Sequence, residues 1–369
     1  MNVVIVGNYS HIHMSGGYFQ SPESEIEQGY LVLPRFDYED WRRSIDESSD
    51  RRTVRQTGNV LEDIVGLVTS NRHRRGPRRF FEANQEYYED GINNAMQNER
   101  PIEFVLPSFP VKCFNPLKVR RRTPDLAEIG CLSRLYSLCR DIEQIYQPGA
   151  MVILVTDGLV YAPIFREPIA HAQRYREEIN ELIVDLGYRK YITSVDMSDL
   201  VASREDEFNR IYQMVEIRVA DHYERYPNDS DRQRLIENTM TNINLTMYPE
   251  RDLIDFFVNE NNSALQEEIR ERATASAFEY LVFNQTLREI ELVQRAFPNA
   301  LRVTCHPKEG QLGLHLVHPN SFNYPWNGVG ILRENGTVRV EFEYEARRNP
   351  NYVAVYIEGE SHPFFFQSR

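Results

Sequence analysis

The chain has 369 residues, with 42 Lys or Arg against 55 Asp or Glu, a formal net charge of −13. A surface this acidic is not built to coat nucleic acid or an anionic membrane. With 41% hydrophobic residues, 21 Tyr and 19 Phe, the chain can bury a core instead of staying disordered. No stretch reaches the roughly 18–20 apolar residues of a membrane span. At about 100–200 residues per domain, the length suits two to three domains or one enzyme-sized unit. The cysteines Cys113, Cys131, Cys139 and Cys305 form no C-x-x-C pair. That pattern, with no basic leader or cleavage site at the start, points to reduced thiols and a cytoplasmic location.

Met1 to Gly7 reads as a strand, and Gly7 is not followed by the glycine spacing of a dinucleotide site. Residues 1–58 form an N-terminal extension, part strand and part irregular or helical. A catalytic domain is expected over 59–369. Val60, Ile64, Val65 and Val68 recur at helical spacing. The basic run Arg72 to Arg79 reads as a solvated connection to a helix over Phe80–Asn98. Phe104-Val105-Leu106 is a short buried strand, stopped by Pro107 and Pro110. Thr123-Pro124-Asp125 starts a helix, with Thr as N-cap and Pro in its first turn, that runs to about Tyr146. Met151 to Val155 is a continuous apolar run, the pattern of a strand buried on both faces. A helix over Glu167–Leu186 and a strand over Tyr191–Val195 follow.

From about 198 to 297 the pattern is a helical insertion. Leu301–Cys305 is again a strand. Val329–Arg333 and Thr337–Tyr344 are strands joined through Glu334-Asn335-Gly336, a hairpin signal. Val353–Ile357 and Phe364–Phe366 complete the set. The fold class expected is α/β: a mainly parallel sheet flanked by helices, with antiparallel strands near the C-terminus.

Several residues at strand ends carry chemistry. Lys112, Lys118, Arg120, Arg121 and Arg122 put five cations within eleven residues, between a strand and a helix N-terminus. In an open α/β sheet that is where ligands bind, and a helix N-terminus favours anions. The alternative is a solvated loop paired with surface carboxylates. Asp157, after a buried strand and before Gly158, can accept a proton or can simply begin a turn. His306, after the strand ending at Cys305, can act as acid or base, with Lys308 nearby for a phosphate; alternatively it makes a structural hydrogen bond. Trp326, beside Asn327, can stack on an aromatic substrate or anchor the core. His315 and His318, and separately His11 and His13, lack the partners of a metal centre, so no metal site is expected.

These features, in this order, resemble the isocyanide (isonitrile) synthase family, which includes the pyoverdine/dityrosine biosynthesis proteins. The resemblance rests on Phe104 to Lys112, Asn115 to Lys118, Pro124 to Glu128 and Tyr146 to Ala150. It continues through Thr156-Asp157-Gly158, Cys305-His306-Pro307 and Pro325 to Gly328, covering roughly Asn59 to Arg347. It implies a Rossmann-like α/β fold with no metal or organic cofactor. It also implies an enzyme that joins the amine of tyrosine or tryptophan to the ketone of ribulose 5-phosphate, the sugar carbonyl carbon becoming the isocyanide carbon. His306, Asp157, Glu128 and Lys112 are then the catalytic candidates. Lys118, Arg121, Arg122, Lys308, Trp326 and Asn327 are the candidates for holding substrate. The sequence departs from the family pattern at Cys113, where a small polar residue is usual, and at Asn327, where a His is usual. Those departures keep open a related sugar-phosphate lyase or transferase with another amine acceptor; a non-catalytic binding protein is the further alternative if Lys112, Asp157 and His306 do not converge. An iron/2-oxoglutarate oxygenase acting on the product is an expected pathway partner. This chain has no H-x-D segment to ligate such an iron, so it would be a separate protein.

Overall fold

Alternate residues of two apolar strands point to opposite sides of a sheet, so those strands are covered on both faces. The computed structural model describes residues 3–6, 26–27, 30–33, 57–259, 263–321, 323–357 and 360–368, with the backbone alone before 57. The strands are β1 (Val3–Val6), β2 (Ile26–Glu27), β3 (Tyr30–Leu33), β4 (Arg74–Arg75), β5 (Ile102–Ser108), β6 (Ala150–Thr156) and β7 (Ile192–Asp196). They continue with β8 (Leu301–Thr304), β9 (Leu312–Leu314), β10 (Val329–Leu332), β11 (Val338–Glu341), β12 (Tyr352–Ile357) and β13 (Phe365–Ser368). One sheet runs β4-β9-β8-β5-β6-β7, parallel except for β4 against β9. The chain steps outward from β5 to β6 and β7, then returns to place β8 on the other side of β5. In open α/β sheets ligands bind beyond the strand carboxyl ends at such a reversal, here between β5 and β8.

Phe104, Leu106, Val152 and Leu154 join one core cluster, under the helices Val60–Val68, Gln85–Gln97, Leu126–Glu143 and Ile169–Asp185. Val105, Ile153 and Val155 join another, with Met197, Phe208 and Phe283. Those three come from the region between β7 and β8, where the described residues form helices and no strand. That region also has a core of its own, including Ile236, Leu253, Phe256 and Ile269, on which Phe114 and Phe165 pack. The helices are thereby fastened to the loops after β5 and β6.

A second sheet, β11-β10-β13-β12-β1-β3-β2, is antiparallel except for the β10–β13 pair. Strand β1 pairs with β12 and β3, so the two ends of the chain share one sheet. His11, His13 and residues 34–56 of the extension lie outside the described residues.

Three local expectations are corrected. Strand β5 continues through Pro107 to Ser108. Its pairing with β8 involves only Phe104 and Val105, so the N–H that Pro107 lacks is not needed on that side. The N-cap of the helix Leu126–Glu143 is Asp125, not Thr123, because Asp125 and Glu128 close a capping box. The strand expected to reach Tyr344 ends at Glu341, and a short helix, Glu343–Arg348, follows. Its first-turn Glu343 accepts from the Arg120 backbone N–H (2.7 Å), which ties this helix to the cationic loop.

Candidate functional site

Asp157 stands at the carboxyl end of β6, before a single helical turn, Gly158–Tyr161, whose backbone it does not cap with its side chain. The turn is pressed against the loop after β5. A Cβ on Gly158 would lie 1.7 Å from the Pro110 carbonyl oxygen, so only glycine fits. Phe109, beside that carbonyl, has φ of 60°, a left-handed backbone uncommon for a bulky residue. Asp157 Oδ1 is buried and has no hydrogen-bond partner. Burial, with a smaller push from Asp196, raises this carboxyl to about 7, against a backbone hydrogen bond. Asp196, at the end of β7, is itself held by the Thr156 hydroxyl (3.0 Å). Tyr161 and Tyr280 lie close enough for the Asp157 charge to help keep their hydroxyls protonated, behind the larger effect of burial.

On the β8 side, the Tyr324 hydroxyl donates to the Cys305 carbonyl (2.8 Å) and lies 3.1 Å from His306 Nδ1. Since that hydroxyl proton is committed, Nδ1 donates to Tyr324 and Nε2 keeps its lone pair. Burial, then the Arg75 charge, holds His306 below its ordinary pKa. Arg75 lies 4.5 Å over the Tyr324 ring. Lys308, two residues after His306, is exposed. Trp326 is buried, stacked on Tyr324 at 5.3 Å and tilted against Phe109 at 5.7 Å. It supports Tyr324 from behind and shows no open face. The Asn327 N–H closes a turn onto the Tyr324 carbonyl (3.0 Å), and its side chain is partly exposed.

The cationic loop separates into distinct roles. Lys112 has no exposed surface; its Nζ donates to Asp125 (2.6 Å) and Glu128 (2.8 Å). Glu128 also accepts from the Asp125 N–H (2.8 Å) and the Tyr175 hydroxyl (2.9 Å). Burial pushes the Glu128 carboxyl up; Lys112 opposes this and Asp125 adds to it. Lys112 and Glu128 therefore belong to an enclosed helix start. Arg120 is held by Glu250 and Glu343. Arg121 lies 3.7 Å from Glu360, donates to the Pro124 carbonyl (3.3 Å) and faces the Phe364 ring. Arg122 meets Glu167 (3.5 Å) and His171 Nδ1 (2.6 Å). Lys118 instead reaches two neutral oxygens, Thr241 Oγ1 and Asn242 Oδ1, each at 2.8 Å.

The structure thus brings Asp157 within electrostatic range of Cys305, the neighbour of His306, groups Lys118 with Cys113, Arg122 and Glu167, and encloses Lys112 and Glu128 in a helix start. It adds Arg75, Tyr324, Asp196, Glu167 and His171. The sequence signals Arg75, as part of a basic run, and Tyr324, at the start of the turn that carries Trp326. Glu167 looks like an ordinary residue at a helix start.

Fold and site together define an open α/β protein with ionisable side chains on the loops at the carboxyl ends of its parallel strands. The chain belongs to the pyoverdine/dityrosine biosynthesis protein family, whose model matches residues 92–354. An L-tyrosine isonitrile synthase of Pseudomonas aeruginosa is 30% identical over 242 residues, 64% of this chain and 71% of that protein. The L-tryptophan isonitrile synthase AmbI1 of Fischerella ambigua is 24% identical over 249 residues, 65% of this chain and 73% of that one. In fold, the chain is similar to the crystal structure of the PvcA protein from Pseudomonas aeruginosa. The TM-score is 0.64 at 21% identity, over 84% of this chain and 100% of that one.

Proposed function

We propose that this protein is an isocyanide synthase. It condenses the amine of an aromatic amino acid, tyrosine or tryptophan, with the ketone of ribulose 5-phosphate. The names of its relatives support the amino-acid class, and the sugar phosphate follows from the family resemblance. The observation that carries the reading is the buried, unpartnered carboxyl oxygen of Asp157 at the carboxyl end of β6. A carboxyl that titrates near neutrality is suited to take a proton from carbon next to a carbonyl or imine and to return it later. His306, with Nε2 open, serves as its partner, and Arg75 and Lys308 supply positive charge for the phosphate. Condensation itself joins the amine nitrogen to the sugar C2 and releases the ketone oxygen as water.

The test is mass spectrometry of purified protein incubated with each amino acid and ribulose 5-phosphate carrying 13C at C2. An isocyanide one mass unit heavier than with unlabelled sugar is expected. A folded protein that makes no labelled isocyanide from any aromatic amino acid overturns the proposal. Asn327, at the position where the family usually carries His, favours one second reading, a different product on the same scaffold. A labelled formyl or stable imine product would decide for it.

A further inference from the structure

Where the cationic loop meets the helical insertion, two ionisable groups, one partly and one fully buried, are left incomplete. Lys118 Nζ donates to Thr241 Oγ1 and Asn242 Oδ1, and among the described residues it has no carboxylate ion pair. An ammonium has three donors, so one remains. Burial lowers this ammonium to about 8, with the Cys113 thiol opposing. The Glu167 side chain has no exposed surface. Its Oε1 is shared by His171 Nδ1 (2.9 Å) and Arg122 Nη1 (3.5 Å), while its Oε2 is buried with no hydrogen-bond partner. A buried carboxylate oxygen left unpaired is costly, and a donor entering the site would recover that cost.

Both groups lie near the Cys113 thiol. Burial raises the Cys113 thiol; the Glu167 charge adds to this, while Lys118 and Arg122 oppose it, so all three lie around this thiol. The frame is fixed by neighbours. The Asn244 N–H donates to the Phe165 carbonyl (2.8 Å) and its side chain to the Arg166 carbonyl (3.1 Å). Asn115 Nδ2 reaches the Thr241 carbonyl (3.1 Å). His171 and Arg122 are the partly exposed edge, with side chains 37% and 22% accessible.

A spare donor on a cation beside a spare acceptor on an anion complements a zwitterion. A phosphate dianion suits it poorly, because Glu167 would repel it and Arg122 is already neutralised. We propose that Glu167 and Lys118 hold the head group of the amino-acid substrate, Glu167 Oε2 accepting from the amine and Lys118 donating to the carboxylate. This rests on the function proposed above. Glu167 then takes one proton from the ammonium, becoming a neutral carboxylic acid. The amine keeps its lone pair for attack on the sugar ketone. The sugar phosphate is left to the Asp157, His306 and Arg75 side.

Calorimetric titration with three probes tests this: L-tyrosine, tyramine, which lacks the carboxylate, and 3-(4-hydroxyphenyl)propionate, which lacks the amine. The matching indole probes run beside them. Glu167→Gln is expected to weaken L-tyrosine and tyramine roughly ten-fold and leave the propionate within about two-fold. Lys118→Met should weaken L-tyrosine and the propionate by a similar factor and spare tyramine, with Lys118→Arg restoring much of the loss. Far-ultraviolet circular dichroism and melting of each variant separate a binding loss from a folding loss. Equal effects on all three probes, or none, in folded variants overturn the assignment. If the unmodified protein makes isocyanide while both variants bind normally, this assignment alone falls. If it neither binds aromatic amino acids nor makes isocyanide, the functional reading falls with it.

Discussion

Asp157 carries a stability cost with a defined pH dependence. In the unfolded chain an aspartate titrates near 3.8, and in the native fold near 7. Below about pH 4 the carboxyl is protonated in both states and costs nothing. As pH rises from 4 to 7 the unfolded chain releases its proton and the native one retains it, so folding loses stability. The full interval corresponds to about 4 kcal/mol, and partial solvent access leaves roughly half of that. Asp157→Asn is therefore expected to be about 2 kcal/mol more stable than the parent at pH 8, and equal to it at pH 3.5. Denaturant unfolding at the two values checks this. The same variant should lose isocyanide formation by at least about a hundred-fold. A variant more stable and still active would leave Asp157 a structural residue. Lys118 and Arg122 show how far a residue can be read from its type alone. The cationic run was legible, but the partners of Arg120, Glu250 and Glu343, lie at least 130 residues away.

At the scale of elements, the helix Leu126–Glu143 is the firmest anchor of the site. Its start was legible as Thr-Pro-Asp, but the cap shifted by two residues, because Lys112 crosses from the preceding loop and binds Asp125 and Glu128 together. Removing that cation leaves two carboxylates buried without compensation. Lys112→Met should cost about 3–5 kcal/mol of folding stability, and adding Glu128→Gln should recover part of it. Chemical denaturation of the single and double variants reads both values. A single variant within about 1 kcal/mol of the parent contradicts the role assigned to this trio. Strands β5 and β6 were legible because residues buried on both faces leave an uninterrupted apolar run. Strand β4, only Arg74–Arg75, was not, because two residues carry no periodicity.

At the scale of the molecule, the second sheet joins the chain ends: β1 lies between β12 and β3. Deleting residues 1–33 would leave β12 as an open edge carrying the buried residues Val353 and Val355. The truncated protein is expected to melt at least several degrees lower and to self-associate through that edge. Differential scanning calorimetry and light scattering check this; an unchanged melt and a monodisperse sample would mean that β1 contributes little to the sheet.

The sequence alone determined the alternation of strands and helices, the helical stretch between β7 and β8, and the order of motifs that marks the family. Those features are written in local periodicity and in short runs, and each survives in isolation. Tertiary structure alone decided which charged groups are left incomplete and which are paired. Lys112 and Lys118 are six residues apart with the same charge. One is locked between two carboxylates, and the other is left with a donor to spare. That difference depends on what the helix start and the distant insertion bring beside each, and the energy of a charge is set by the neighbours it meets after folding.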